Sequence, residues 1–188
     1  MYKCVNSKIK ELLLHKTHTS GKYITPIPGL VLFRGNKDTK SLINFNILSV
    51  VVIIQGNELV IHNNKNTLYH ENDYFITNPQ TSSTYYCTNT CESKPFLAFS
   101  LKISRHVFSL LDTDDSHAYF QQPGKRDDAY EEDIKIDLFN CFQRLLMLMD
   151  KPEQIYIRAP IIICEIHYLI LISKKWKYIE QSTLGYHC

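Results

Sequence analysis

Residues Ile47–Pro79 read ILSVVVIIQGNELVIHNNKNTLYHENDYFITNP, and the architecture follows from how that run spells its strands and turns. An apolar, β-branched segment, Ile47 to Ile54, stops at Gln55-Gly56-Asn57. A second strand, Glu58 to His62, follows at once, which predicts a hairpin. A polar turn at Asn63-Asn64-Lys65-Asn66 leads into a short strand through Tyr69, and a break at Glu71-Asn72-Asp73 precedes another strand, Tyr74 to Thr77. Short strands with turn signals at this spacing predict a small β-barrel or jelly roll, not an alternating α/β plan. Such barrels serve as metal enzymes or as ligand sensors, and the residues at the metal-ligand places discriminate between them.

Working outward, YITPIPGLVLFRG is a stiff lead-in in which Pro26 and Pro28 force an extended path and Gly29 permits a turn before a strand at Leu30 to Arg34. Further strands are predicted at Ser82 to Thr88 and Pro95 to Ile103; in the second, Leu97, Phe99, Leu101 and Ile103 share a face at period two. Asn6 to Lys16 reads as a short amphipathic helix, too short to be stable without docking. After Ile103 the period changes. Ser104 can cap a helix containing Val107, Phe108, Leu110 and Leu111, and Asp112 to Tyr130 reads as loop with its clearest break at Pro123-Gly124. Ile134, Leu138, Phe142, Leu145, Leu146 and Met149 then recur at helical spacing up to Pro152, and Pro160 suits the first turn of another helix reaching about Ile172. The expected fold class is α+β: an N-terminal helix or arm (1–21), a cupin-like β-barrel (22–103) and a helical dimerisation or connector region (104–188).

With 188 residues, 44% of them hydrophobic, the chain can bury a real core, and a formal charge of +2 announces no nucleic-acid surface. The six cysteines form no CxxC pair and read as free thiols in a reducing compartment, with a bridge between Cys87 and Cys91 across Asn89 as the alternative. Leu12 to Leu14, flanked by lysines and lacking a small-residue cleavage site, does not read as a signal peptide. The apolar run Ile161 to Ile172 carries Glu165 and His167 and falls short of the roughly 20 residues of a membrane span. A soluble, cytoplasmic protein is expected.

A metal-dependent cupin needs two histidines and a carboxylate before the first hairpin and a further histidine on a later strand. Here the first place reads NFNILSVVVII, with no His, Asp or Glu, and the second reads QTSSTYY, with hydroxyls instead of an imidazole. His62 and His70 are left on neighbouring segments, and His117 and His187 lie in polar surroundings. No GxSxG elbow, Walker A sequence or GxGxxG is present, and the six glycines are scattered singly, so no enzyme, cofactor or metal is expected. The acids Asp127, Asp128, Glu131, Glu132 and Asp133 suit a helix N-terminus, and Lys174, Lys175 and Lys177 suit a helix C-terminus better than a DNA contact. The segment from Ile161 to Ile172 is apolar nearly all round a helix, so either the barrel or a second copy of the chain must cover it.

Six segments resemble, in order and spacing, the N-terminal regulatory region of AraC-type transcriptional regulators: TPIPGLVLFRG (Thr25 to Gly35), VVVIIQGNELVIHNN (Val50 to Asn64), YHENDYFITNPQ (Tyr69 to Gln80), KPFLAFSLKIS (Lys94 to Ser104), RLLMLMDKPEQI (Arg144 to Ile155) and APIIICEIHYLI (Ala159 to Ile170). The resemblance implies a metal-free, cupin-like effector-binding or dimerisation barrel followed by helices. It also implies a further helix-turn-helix pair, whereas this sequence stops at Cys188 after EQSTLGYHC; a natural truncation, a frameshifted product and a fragment all fit, and no direct DNA binding is expected. Cys164 and Leu169 stand where the family pattern has arginines. The resulting expectation is a sensor of a small-molecule effector acting by population shift, with a ligand-free interaction module and a metal-dependent cupin enzyme as alternatives. Phe33, Arg34, His62, Tyr74, Tyr85 and Phe99 are the expected ligand-lining residues, and bulky side chains simply filling a small barrel is the competing account of each. Ile162, Ile166, Leu169 and Ile170 are the expected homodimer interface.

Overall fold

The strand before Gly56 and the strand after it are separated by that one residue, and one residue is too few for a two-residue hairpin turn. In the computed structural model, which describes residues 2–41, 43, 46–62, 64–77, 83–111 and 128–175, the expected hairpin is instead a corner. Strand β4 (Ser49–Gln55) lies in one sheet and β5 (Asn57–His62) in the other. Gly56 makes the turn at φ 84°, where a Cβ would come within 3.1 Å of the Phe96 ring. The pairing of β4 also slips between Ile53 and Gln55, a bulge that bends the strand into the corner.

The other strands are β1 (Gly21–Ile24), β2 (Leu30–Gly35), β3 (Thr39–Lys40), β6 (Lys65–Tyr69), β7 (Tyr74–Thr77), β8 (Ser83–Thr88) and β9 (Phe96–Lys102). They form a five-stranded sheet ordered β1-β2-β9-β4-β7 and a four-stranded sheet ordered β3-β8-β5-β6, with every pair antiparallel. Chain segments pass from sheet to sheet at the corners, which gives a cupin-like jelly roll. The true hairpin is β5-β6, where His62 faces Lys65 across a two-residue turn with Asn64 at φ 59°. Asn72, at φ 72°, makes the return corner before β7, and its N–H donates to Ile53 O (2.9 Å). Every residue of β4 is buried, so SVVVIIQ is a strand covered on both faces, which is why it reads as one apolar run without alternation.

Contacts divide the chain into a unit of Asn6–Lys102 and a unit of Met1–Val5 with Ile103–Cys188. In the first, helix α1 (Tyr2–Lys16), longer at its start than expected, buries Ile9 and Leu13. Thr17 stops it by donating both its N–H and its hydroxyl to Leu13 O (2.9 and 2.7 Å), and Arg34 donates to Thr17 O (2.6 Å).

The second unit contains α2 (Arg105–Leu111), α3 (Asp128–Met147), a 3₁₀ turn (Leu148–Asp150) and α4 (Pro152–Ile172). The expectation that Pro160 opens the last helix is corrected: Pro152 occupies the first turn, where its missing N–H costs nothing, and Pro160 lies inside the helix. The last helix is therefore 21 residues long, enough by length and composition to cross a membrane, contrary to the length argument from sequence; half of its most apolar stretch is buried within the protein. Helices α3 and α4 run antiparallel, with Lys174 bonded to Glu131 and Asp128 at one end and Arg144 paired with Glu165 (2.6 Å) further along. His167 is fully buried, with one ring nitrogen accepting from Ser104 N–H (2.9 Å) and the other donating to Ile163 O (2.7 Å). Expectations for the loop at Pro123-Gly124, for Asp127, His117 and His187, and for Lys177 and the tail beyond lie outside the described residues.

Candidate functional site

The space between the two sheets is where a jelly roll holds a guest, and the strand registers say which residues face it. On the larger sheet the inward row includes Phe33 opposite Ala98 and Val51 opposite Phe75. On the smaller sheet Glu58 stands opposite Tyr69 on one side and Cys87 on the other, and Val60 stands opposite Tyr85. Phe33, Val51, Ile53, Phe75, Tyr85, Cys87, Phe96 and Ala98 form a single buried cluster, and Tyr69 and Val60 pack against it. Three of these rings are stacked in series: Tyr69 on Phe75 with centroids 4.6 Å apart, and Phe75 with Tyr85 at 6.4 Å.

Glu58 is the outlier in this apolar setting. It is 0% exposed, and neither carboxyl oxygen has a hydrogen-bond partner in normal geometry among the described residues. Burial pushes its carboxyl up to about 8; the Ser41 hydroxyl nearby works in the other direction and is outweighed. Its charged form would in turn raise the neighbouring Tyr85 and Cys87, both already raised by their own burial. Sequence reasoning misses Glu58 because NELVIH alternates ambiguously: Leu59 and Ile61 are as apolar as Val60, so no pattern says which set faces inward.

The six residues expected to line a pocket do not converge. Phe33 and Tyr85 face the interior, and His62 lies on the inward side at the end of β5, its Nδ1 3.1 Å from Ser83 Oγ. Arg34, Tyr74 and Phe99 alternate to the opposite face of the larger sheet, where Phe99 stands between Leu32 and Val52, and Val52 opposite Tyr74. Arg34 is committed to Thr17 O and to Asn36 Oδ1 (3.1 Å). Leu97, Phe99 and Leu101 do share a face at period two, but it is this outer one. Among the described residues no group of three His, Cys, Asp or Glu side chains converges as metal ligands would. His62 is four residues along β5 from Glu58, roughly 13 Å away, too far for one ion. Cys87 and Cys91 are free thiols, not a bridge, and the buried Cys87 donates to Thr39 O (3.3 Å).

The sequence profile of the AraC-type transcriptional regulator N-terminus matches residues 26–177. The chain belongs to this family. Among solved structures, it is similar to the plu4264 protein of Photorhabdus luminescens, at 17% identity and a TM-score of 0.32 over 44% of this chain and 72% of that one. It is also similar to a Salmonella typhimurium protein described as a putative ethanolamine utilization protein Q, at 15% identity and a TM-score of 0.28 over 40% of this chain and 58% of that one. No curated protein sequence matches the chain.

In this AraC-type regulatory region the expected dimer residues need correction. Ile162, Ile166, Leu169 and Ile170 are all buried within the chain, on the helix stripe that runs from Ile155 through Ala159. A second copy cannot reach them. The apolar residues that α4 leaves exposed include Ile157, Ile161 and Tyr168, with Cys164 half-buried between them, at spacings of four, three and four that keep them on one side of the helix.

Proposed function

We propose that this chain senses a small-molecule effector between the sheets of its barrel and passes the signal on as a homodimer, without catalysis. The observation that carries the sensing half is Glu58: a carboxyl with no hydrogen bond of normal geometry among the described residues, on the inward face beside stacked aromatic rings, is costly to keep in a barrel that serves only as a scaffold. A mostly apolar pocket with a few polar groups is the usual composition of a ligand site. The effector acts by stabilising one arrangement of the chain over another, to the extent that it binds one of them better. A metal-dependent cupin enzyme is disfavoured by the donors that the described residues place inside, one carboxylate, the neighbouring Cys87 thiol and a distant imidazole, which do not group as three ligands. The site of action is the cytoplasm, where free thiols such as the exposed Cys91 persist.

Thermal-shift measurement of the full chain against a metabolite library tests the sensing reading, with stabilisation of several degrees by at least one compound class as the expected result. Consistent failure to stabilise would overturn it. The dimer half rests on the exposed stripe of α4. Ile161→Lys is expected to move the chain to the monomer elution volume while changing stability by no more than about 0.5 kcal/mol, as a surface substitution should. An unchanged elution volume removes the stripe as the interface. Ile166→Lys, by contrast, places a charge in the core and unfolds the helical unit.

A further inference from the structure

Glu58 also narrows the chemistry of the effector. The carboxyl is fully enclosed, and the neighbouring donor that bears on it is the Ser41 hydroxyl, which makes no hydrogen bond of normal geometry to either oxygen. Tyr69 and Cys87 stand directly across from it on the neighbouring strands, where Cβ atoms are about 5 Å apart, with Tyr85 two residues along β8 and Asp38 beyond Cys87. The Cys87 thiol is already directed at the carbonyls of Thr39 (3.3 Å) and Lys37 (3.8 Å). Among the described residues, no arginine or lysine supplies either carboxyl oxygen with a hydrogen bond. Among the described residues the carboxyl therefore has no charged donor and only the Ser41 hydroxyl nearby, next to rings whose faces carry partial negative charge.

We propose that the effector is a small organic cation carrying N–H donors, a primary ammonium, amidinium or guanidinium group, which pairs with the Glu58 carboxylate and lies against the Tyr69, Phe75 and Tyr85 rings. This rests on the reading of the barrel as a sensor. Two independent features converge on the same chemistry. A carboxylate selects a cationic donor through charge-assisted hydrogen bonds, and aromatic faces attract cations by their quadrupole. A carboxylate ligand could be held only by the protonated form and would face the negative ring faces, and a neutral hydrocarbon would leave the Glu58 carboxyl without a partner. Pairing also has a proton balance. Because the enclosed carboxyl is held up to about 8, it is largely protonated at pH 7 in the chain alone, and arrival of the cation releases that proton to solvent as the ion pair forms.

The experiment is calorimetry and thermal shift on the full chain with tyramine, agmatine, benzamidine and putrescine, against their neutral or acidic counterparts (tyrosol, benzamide, benzoate and succinate) and tetramethylammonium as a cation without donors. At least one donor cation is expected to bind. At pH 7 its heat should depend on the buffer in the way that release of up to one proton requires, and Glu58→Gln should weaken it by roughly tenfold to a hundredfold. The substitution keeps the side chain's shape and removes its ionisation, so a melting temperature at or above the parent's shows that weakening is not unfolding. If tyrosol, benzoate or another compound without a cationic donor binds while the donor cations do not, or if Glu58→Gln binds the cations undiminished, the cation assignment is overturned and sensing stands. If nothing in the panel or in the metabolite library stabilises the chain, both fall.

Discussion

His167 in the helical unit and Glu58 in the barrel unit are both wholly buried, yet they are built into their surroundings in opposite ways. His167 uses both ring nitrogens, accepting from Ser104 N–H at the start of α2 and donating to Ile163 O a turn earlier in its own helix, and its ring sits 5.0 Å from that of Phe108. That arrangement fixes the neutral tautomer, and burial lowers its pKa from the ordinary histidine value. Glu58 has the same degree of burial and neither oxygen satisfied. One group fastens α2 to α4; the other has neither oxygen hydrogen-bonded among the described residues. Burial alone therefore does not tell a polar group built into the fold from one left without partners, whereas the inventory of its hydrogen bonds does.

The contrast has a sign that pH reveals, and its largest consequence concerns Glu58. In the unfolded chain this carboxyl titrates near 4.5 and in the folded barrel near 8, so between those values the folded state holds a proton that the unfolded state has lost. Stability of the barrel unit is accordingly fullest below about pH 4.5 as far as this group is concerned, falls as pH rises to about 8, and then levels. Glu58→Gln removes that slope. It is expected to stabilise the barrel unit by roughly 3–5 kcal/mol at pH 8 and by little at pH 4. Urea unfolding at the two pH values, read by pulsed hydrogen exchange in β5 and β8 peptides, measures it; equal stabilisation at both would mean that Glu58 has found a partner after all and that the contrast with His167 is false.

The two groups also differ in how far the sequence discloses them. The barrel was legible because its turns carry asparagine and glycine at positions that adopt positive φ, Gly56, Asn64 and Asn72 among them, and because SVVVIIQ can only be a strand buried on both faces. What could not be read was direction. A one-residue ambiguity in LVLFRG, YFIT or FLAFSLK exchanges the inner and outer faces, which is why Arg34, Tyr74 and Phe99 are expected inside from the sequence and lie outside in the fold. In α4 the helical period was plain, but a helix apolar nearly all round does not announce which stripe its own fold consumes. Ile162 and Ile166 went to the interior and Ile157 and Ile161 were left at the surface. His167 reads as a blemish in an apolar run, since its partner Ser104 lies 63 residues away in sequence and no local pattern joins them.

Removing His167 is the second test of the contrast, with the opposite sign. His167→Leu leaves Ser104 N–H buried without an acceptor and is expected to destabilise the helical unit by about 1–3 kcal/mol at pH 7.5. The parent chain should also lose stability as pH falls below the histidine's unfolded value of 6.5, because the unfolded chain takes up a proton there that the folded imidazole refuses. The Leu variant should lack that acid-side loss. Hydrogen-exchange protection in α2 and α4 peptides across the range from about pH 5 to 7.5 follows both effects, and a variant as stable as the parent would show that the imidazole fastens nothing.

A third polar pair separates burial from pairing. Arg144 and Glu165 form a 2.6 Å ion pair between α3 and α4, close in geometry but about half exposed on both sides. Glu165 raises the Arg144 pKa further through its hydrogen bond, yet water competes for both groups, so the pair adds little to stability. Arg144→Ala is expected to cost between about 0 and 1 kcal/mol, part of it through the lost hydrogen bond that its guanidinium donates to Cys141 Sγ (3.0 Å). The Cys141 thiol, pushed up to about 12 chiefly by burial and then by Glu165, should remain unreactive toward alkylating agents in both chains while the exposed Cys91 reacts. If the arginine instead proves as costly to remove as His167, then proximity of charges and not their enclosure governs stability in this protein. The unpartnered state of Glu58 would then cost less than its burial implies, and would be weaker grounds for a guest in the barrel.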